Sequence, residues 1–250
     1  MISAPGDWYK TFFTGLAVEM WLNAMPAEVT EREAAFLRAK LQVAPPAKLL
    51  DVPCGGGRHS IALASAGYQM TSVDLSTDFL AAARANAGVL PIQWYQRDMT
   101  DLPWREMFDG AFCFGNSFGY LPDADNPRFL GAVAAALKPG ARFVLDYGVV
   151  LESVAIHFKG KGTYEIGDIH YERDGRYDPR TGRIIVEHSA SRGGQTQKQV
   201  MSQRAYTYRE LCEMLAAAGF TDIQGYNGFE GEPFTLGAQR PILVATKAPG

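Results

Sequence analysis

Residues 49–60 read LLDVPCGGGRHS. Two leucines run into an acid, a proline, a cysteine and three glycines, so a buried strand stops abruptly in a loop with almost no side-chain bulk. Gly55 and Gly57 carry no Cβ, and the backbone there can take positive φ and lie close against a flat ligand. Outward from this loop, short apolar strands at 48–52, 69–73, 91–96, 110–115 and 141–147 alternate with helices at 58–66, 76–86 and 125–137. Strands separated by helical crossovers pair in parallel and form an open sheet covered on both faces. In such a sheet ligands bind beyond the carboxyl ends of the strands, where the first strand's loop lies.

The flanks differ from this core. Residues 8–22, WYKTFFTGLAVEMWL, set Trp8, Phe12, Leu16 and Met20 on one helical line, with Tyr9, Phe13 and Trp21 beside it. Such a helix needs cover. Thr30 and Glu33 have capping-box spacing, predicting a second helix from about Thr30 to Leu41 that Pro45 and Pro46 stop. Between 162 and 206, DPRTG (178–182) and RGG (192–194) separate three strand-like runs, an inserted antiparallel meander. Thr207 and Glu210 repeat the capping-box spacing before Leu211, Met214, Leu215 and Ala218, and Gly219 ends that helix. Strands at about 220–226 and 241–246 finish the chain. The expectation is an α/β fold: an open, mostly parallel seven-stranded sheet, a carboxyl-terminal antiparallel strand pair and a small inserted antiparallel β-meander. Its segments are an N-terminal helical lid (1–44), a Rossmann-like core (45–148), the inserted cap (149–206) and the remainder of the core (207–250).

The 250 residues are 47% hydrophobic and 20% charged, with a net charge of −3, so no global basic field favours nucleic acid or an anionic membrane. The insertion is locally basic, with nine Lys or Arg against six Asp or Glu between His157 and Arg204. The amino terminus has no secretory pattern, and no apolar run reaches membrane-spanning length, so a cytoplasmic protein is expected. Cys54, Cys113 and Cys212 lie 59 and 99 residues apart. That is neither a disulfide framework nor a zinc spacing, and no metal site is expected.

The loop alone does not choose a cofactor. Gly55-x-Gly57-x-x-Ser60 nearly matches a dinucleotide fingerprint, and Asp74, 19 residues after Gly55, sits where NAD or S-adenosylmethionine would want an acid for its ribose. Three features separate the two. Asp51 and Pro53 frame the loop. Asp98 followed by Met99 suits an adenine, the carboxylate accepting from the amine and the thioether lying on the ring. A meander, a helix and a terminal strand pair are not how a dinucleotide fold ends. Over 45–148 and 204–247 the chain resembles class I S-adenosylmethionine-dependent methyltransferases, in a bacterial branch acting on small molecules. The resemblance implies cofactor contacts from Asp51, Pro53, Cys54, Gly55 and Gly57 in the loop, and Asp74 and Leu75 at the ribose. It also implies Asp98 and Met99 at the adenine, and Phe114, Gly115 and Asn116 in FCFGNSFGYL at the methionine amino group. Pro53 stands where the family has glycine.

An activated methyl group needs an in-line acceptor more than covalent help. Tyr9 and Phe13 could close over the sulfonium, whose charge favours aromatic faces, and Arg58 could pair with the methionine carboxylate. Cys54 reads as apolar filler and His59 as structural. His157, His170 and Tyr120 are the candidates for proton transfer, and Asn116, Tyr120 and Tyr147 for the acceptor side. The function expected is methyl transfer to a nitrogen or oxygen of a small molecule. The alternatives are an NAD-dependent oxidoreductase and a cofactor-binding regulatory module without turnover. Nucleic acid and membrane are not expected partners, and an exposed meander edge could join two copies as a homodimer.

Overall fold

The computed structural model describes residues 3–249; residues 1, 2 and 250, at the outer ends of the 1–44 and 207–250 segments, lie outside it. The expected helix over 8–22 is two helices, α1 (Tyr9–Phe12) and α2 (Gly15–Asn23). Thr14 is extended and Gly15 takes φ +55°, which ends the hydrogen-bond ladder. The Gly15 N–H donates instead to Asp78 Oδ2, at 3.1 Å. Helix α3 (Ala27–Leu41) starts three residues before the expected cap, after Pro26. Thr30 and Glu33 are therefore inside the helix, and Glu33 is fully buried.

The core follows as β1 (Lys48–Asp51), α4 (Arg58–Ser65), β2 (Gln69–Asp74), α5 (Thr77–Ala87), β3 (Ile92–Gln96), β4 (Phe108–Cys113), α6 (Asp125–Ala136) and β5 (Leu137–Asp146). A short helix the sequence reading lacked, α7 (Leu151–His157), leads to four inserted strands rather than three: β6 (Lys161–Ile166), β7 (Ile169–Asp178), β8 (Arg183–Arg192) and β9 (Gln195–Arg204). The extra strand arises because Gly167, at φ +61°, turns the first run back on itself. The chain ends with α8 (Tyr208–Ala217), β10 (Phe220–Asn227), the two-residue β11 (Glu232–Pro233) and β12 (Pro241–Lys247). The Thr207–Glu210 capping box opens α8 as expected.

The main sheet runs β11-β10-β12-β5-β4-β1-β2-β3, the expected seven strands plus the β11 edge. β1 to β5 are mutually parallel, and β12 lies antiparallel between β5 and β10. Alternation along β1 divides the core. Leu49 packs with Phe36 and Leu37 of α3 and Leu63 of α4, whereas Leu50 joins Phe129 and Val133 of α6 and Leu211 and Leu215 of α8. The inserted sheet lies against the N-terminal helices, with Leu16 and Met20 packed on Ile169, Tyr171 and Ala190.

Gly57 caps α4 at φ +74°, and a Cβ built there would stand 2.4 Å from Cη2 of Trp94 and 3.0 Å from Cβ of Ala83. Gly55, at φ +52°, has no atom within 4 Å of such a Cβ. Gly57→Ala therefore combines a left-handed backbone with a clash and is expected to cost about 2–4 kcal/mol. Gly55→Ala carries only the backbone term of about 1–2 kcal/mol. Urea denaturation of both variants checks the difference, and equal losses would contradict it.

Candidate active site

The carboxyl ends of the parallel strands, helices α1 and α2 and the inserted sheet enclose a cavity of about 1240 Å³. This exceeds the roughly 300–1,000 Å³ of a site for one small ligand. Pro53, Cys54, Gly55 and Arg58 line it from the glycine loop, and the Val52–Pro53 peptide is cis. Burial, then Asp51 and Asp74, push the Cys54 thiol well above its ordinary range, so this cysteine is no nucleophile. Asp74 and Leu75 line the cavity at the end of β2. Asp74 Oδ2 accepts from the Gly55 N–H at 2.7 Å and Oδ1 from the Ser76 N–H at 2.8 Å. Asp98 and Met99 line it beyond β3. Asp98 Oδ1 accepts from the Thr100 N–H at 2.9 Å and the Thr100 hydroxyl at 2.8 Å, and Oδ2 has no protein partner among the described residues.

Tyr9 and Phe13 line the same space from α1 and the break after it. Phe13 stacks obliquely on Phe79 and Tyr120, with ring centroids 5.4 and 6.1 Å apart. The Ser76 hydroxyl, which also caps α5, donates to its carbonyl at 2.7 Å.

At the other side of the glycine loop lies a polar cluster absent from the sequence reading. Glu33 receives Arg58 Nη1, His59 Nε2 at 2.8 Å and Arg240 Nη2 at 2.6 Å. Arg240 also donates to Asp146 Oδ2 at 3.1 Å, and that oxygen accepts from the Gly115 N–H at 3.0 Å. Although burial opposes it, the bonds from His59 and Arg58 hold Glu33 down to about 2. Burial lowers His59 in turn, which keeps its imidazole neutral. Phe114, Gly115 and Asn116 line the cavity here, and Arg240 lies 5.6 Å above the Phe114 ring. Asn116, at φ +67°, accepts from the Gly148 N–H at 2.9 Å and, through its carbonyl, from Gln203 Nε2 at 2.8 Å.

Four candidates lie elsewhere. Asp51 is 1% exposed beneath the loop, where the Ser60 hydroxyl donates to Oδ2 at 2.5 Å and Oδ1 has no hydrogen-bond partner among the described residues. The bare Cα of Gly57 meets Trp94, not the cavity. Tyr147 is fully buried in the core and donates to the Arg204 carbonyl. His170 is on the outer face of the inserted sheet, with Nδ1 2.5 Å from Glu165, which raises its pKa. His157 does line the cavity, with Nε2 2.8 Å from the Gly237 carbonyl. Tyr120 lines it too, but burial pushes its hydroxyl far up, so it stays protonated.

Conversely, the inserted sheet supplies Tyr171, Arg173, His188 and Met201 to the cavity wall. Strand parity is the signal that could have found them: His188 pairs with Arg173 across β7 and β8, on the face opposite His170. Among the described residues no cluster of three His, Cys, Asp or Glu side chains could hold a metal ion. None of their helices is long and apolar enough to cross a membrane.

Residues 49–140 match the methyltransferase domain family. The glycine/sarcosine N-methyltransferase of Aphanothece halophytica is 31% identical over 239 residues, covering 90% of this chain and 85% of that one. The chain belongs to the class I S-adenosylmethionine-dependent methyltransferases. Rat glycine N-methyltransferase is 32% identical over 163 residues, which cover 57% of this chain and only 53% of that protein. The fold is also that of the S-adenosylmethionine-bound amino pentose methyltransferase of calicheamicin biosynthesis from Micromonospora echinaspora. That structure aligns with a TM-score of 0.71 and 21% identity over 94% of this chain and 98% of its own.

The cofactor is therefore S-adenosylmethionine, and the dinucleotide oxidoreductase reading is set aside. The cavity fits it in kind. Open backbone at Gly55 and the free Asp98 oxygen offer clearance and an acceptor, and the aromatic wall at Tyr9 and Phe13 suits a cation.

The proton on Asp51 has a measurable consequence. Burial pushes its carboxyl from 3.8 up to about 8, so the folded chain keeps a proton that the unfolded chain releases. Native protein binds more protons across that window, and stability falls as pH rises from about 4 to 8. Asp51→Asn, which mimics the protonated acid, should gain in melting temperature relative to wild type between about pH 5 and 8, by several degrees. A difference independent of pH would show that Asp51 is already ionised in the fold.

Proposed function

We propose that the enzyme transfers a methyl group to a nucleophilic nitrogen or oxygen of a small-molecule acceptor, with an amine nitrogen the favoured atom. The observation that carries this is the single cavity running from the glycine loop to the inserted sheet. Its walls enclose space for a cofactor and one compact acceptor, and the acceptor side is formed by α1, α2 and the inserted sheet. The amine is favoured because the relatives are named for glycine, sarcosine and an amino pentose.

In this reading Asp74 takes the ribose hydroxyls, Asp98 Oδ2 takes the adenine amine, and Met99 lies against the ring. Gly115 and Asn116 hold the methionine end, with Arg58 beside them. S-adenosylmethionine supplies a methyl group already activated on a sulfonium. What remains for the chain is position, and holding acceptor and methyl in line contributes roughly 7–11 kcal/mol. The aromatic residues Tyr9, Phe13 and Tyr120 exclude water. A dry wall also lowers the pKa of an entering ammonium and favours the free amine that can attack.

Release of S-adenosylhomocysteine, followed with glycine, sarcosine, a nucleotide-linked amino sugar and an RNA oligonucleotide as acceptors, tests the proposal. Turnover of at least one small amine is expected. Turnover confined to RNA would overturn the small-molecule reading, and cofactor binding with no turnover at all would favour a regulatory module. Asp98 gives the cleaner test of the cofactor pose, because Asp74 also pins Gly55. Asp98→Ala should weaken S-adenosylhomocysteine binding about 10- to 100-fold by calorimetry, the size of a lost charge-assisted hydrogen bond. Unchanged affinity would remove Asp98 from the adenine.

A further inference from the structure

Cations on the cofactor side of the cavity are already matched. Arg58 and Arg240 share Glu33, Arg240 reaches Asp146, and Arg97 pairs with Asp101. Arg173, on the inner face of the inserted sheet, is different. Among the described residues it makes no salt bridge: its guanidinium carbon lies 6.0 Å from the Tyr164 ring centroid, its Nη2 donates to the Lys159 carbonyl at 3.3 Å, and its buried Nε has no hydrogen-bond partner. Directly across the β7–β8 ladder stands His188, 8% exposed, whose Nδ1 is bonded to the Tyr171 hydroxyl and whose Nε2 is also buried without a partner. All three side chains line the cavity. Burying polar groups this way is costly unless something completes their hydrogen bonds.

We infer that Arg173 and His188, the latter oriented by Tyr171, form the seat for a negatively charged oxygen group of the methyl acceptor, a carboxylate or a phosphate. This rests on the small-molecule reading above and narrows it to amines that also carry an anion. Burial and the neighbouring Arg173 charge hold His188 down to about 4, so it is neutral at pH 7. In the tautomer in which Tyr171 donates to Nδ1, Nε2 carries the imidazole hydrogen. Arg173 and His188 then both present N–H donors, and the guanidinium supplies the charge. Anchoring the anion on the inserted sheet would leave the acceptor's amine free to turn towards the cofactor side.

The test is calorimetric titration of the full chain, saturated with S-adenosylhomocysteine, with sodium acetate and separately with inorganic diphosphate. At least one anion should bind wild type, and Arg173→Met should weaken that binding tenfold or more while S-adenosylhomocysteine affinity changes less than twofold. Arg173→Lys should recover part of the loss. Binding of acetate alone points to a carboxylate acceptor, and of diphosphate alone to a phosphorylated one. Should Arg173→Met lose S-adenosylhomocysteine binding through misfolding, His188→Gln is read in its place with the same criteria. No binding of either anion to wild type, or equal binding to the variant, overturns the inference. Neither result bears on whether small amines are methylated, which the turnover panel decides separately.

Discussion

Glu33, a fully buried carboxylate, joins three separated segments directly and a fourth through Arg240, and the cavity's geometry on that side depends on it. Its own helix α3, the start of α4 through Arg58 and His59, and the approach to β12 through Arg240 meet on its two oxygens. Arg240 carries the connection on to Asp146 at the end of β5. A carboxylate with no exposed surface is tolerable only when paired, and losing one partner of such a pair costs about 3–5 kcal/mol. The network therefore fixes the loop after β1 relative to the loop after β4, through the Gly115 N–H on Asp146. Both loops line the cavity. The pairing also commits Arg58 to Glu33 and the Thr30 hydroxyl, so its charge towards a ligand is shared, not free.

The opposite wall is made by residues nearly two hundred positions apart. Trp8 Nε1 donates to the Ser202 carbonyl at 3.0 Å, Gln199 Nε2 to the Phe12 carbonyl at 2.6 Å, and Arg192 binds Glu19 through Nη1 and Nη2. These bonds make α1, α2 and the inserted sheet one structural unit over the strand ends. The break at Thr14–Gly15 follows from the same requirement. A continuous helix would carry Phe13 around with its ladder, whereas the break places its ring between Phe79 and Tyr120 on the cavity wall. Sequence-distant contacts of this kind divide the cavity into a side built by consecutive βα loops and a side built by the N-terminal helices and the insertion.

The same division governs what could be read beforehand. The carboxyl ends of the strands, the glycines and the acids at Asp74 and Asp98 are local features; those strand ends lie within about two residues of the expected positions, although β5 begins at Leu137 and not at the expected 141. The two capping boxes show the limit. Thr207 with Glu210 forms one, but Thr30 with Glu33 has identical spacing and does not. Pro26 lets α3 begin a turn earlier, and Glu33 is claimed by residues 25 and 207 positions away. Likewise, three histidines in the insertion are equivalent in composition. Only strand register, with Gly167 adding a turn, separates His188 on the inner face from His170 on the outer.

The glycine loop sharpens the point about what a motif reports. A glycine states that a side chain is absent without stating what occupies its place. At Gly55 the place is open cavity, so a ligand can use it. At Gly57 it is the Trp94 indole, contributed by a strand three elements later. Asp51 repeats the lesson for acids: it ends β1 as Asp74 ends β2, yet it pairs with Ser72 across the ladder and is held by the Ser60 hydroxyl beneath the loop. A cofactor fingerprint is thus partly a packing fingerprint. Its ambiguity between two cofactors is inherent, because half of its residues serve the turn itself and would serve it whichever molecule lay above.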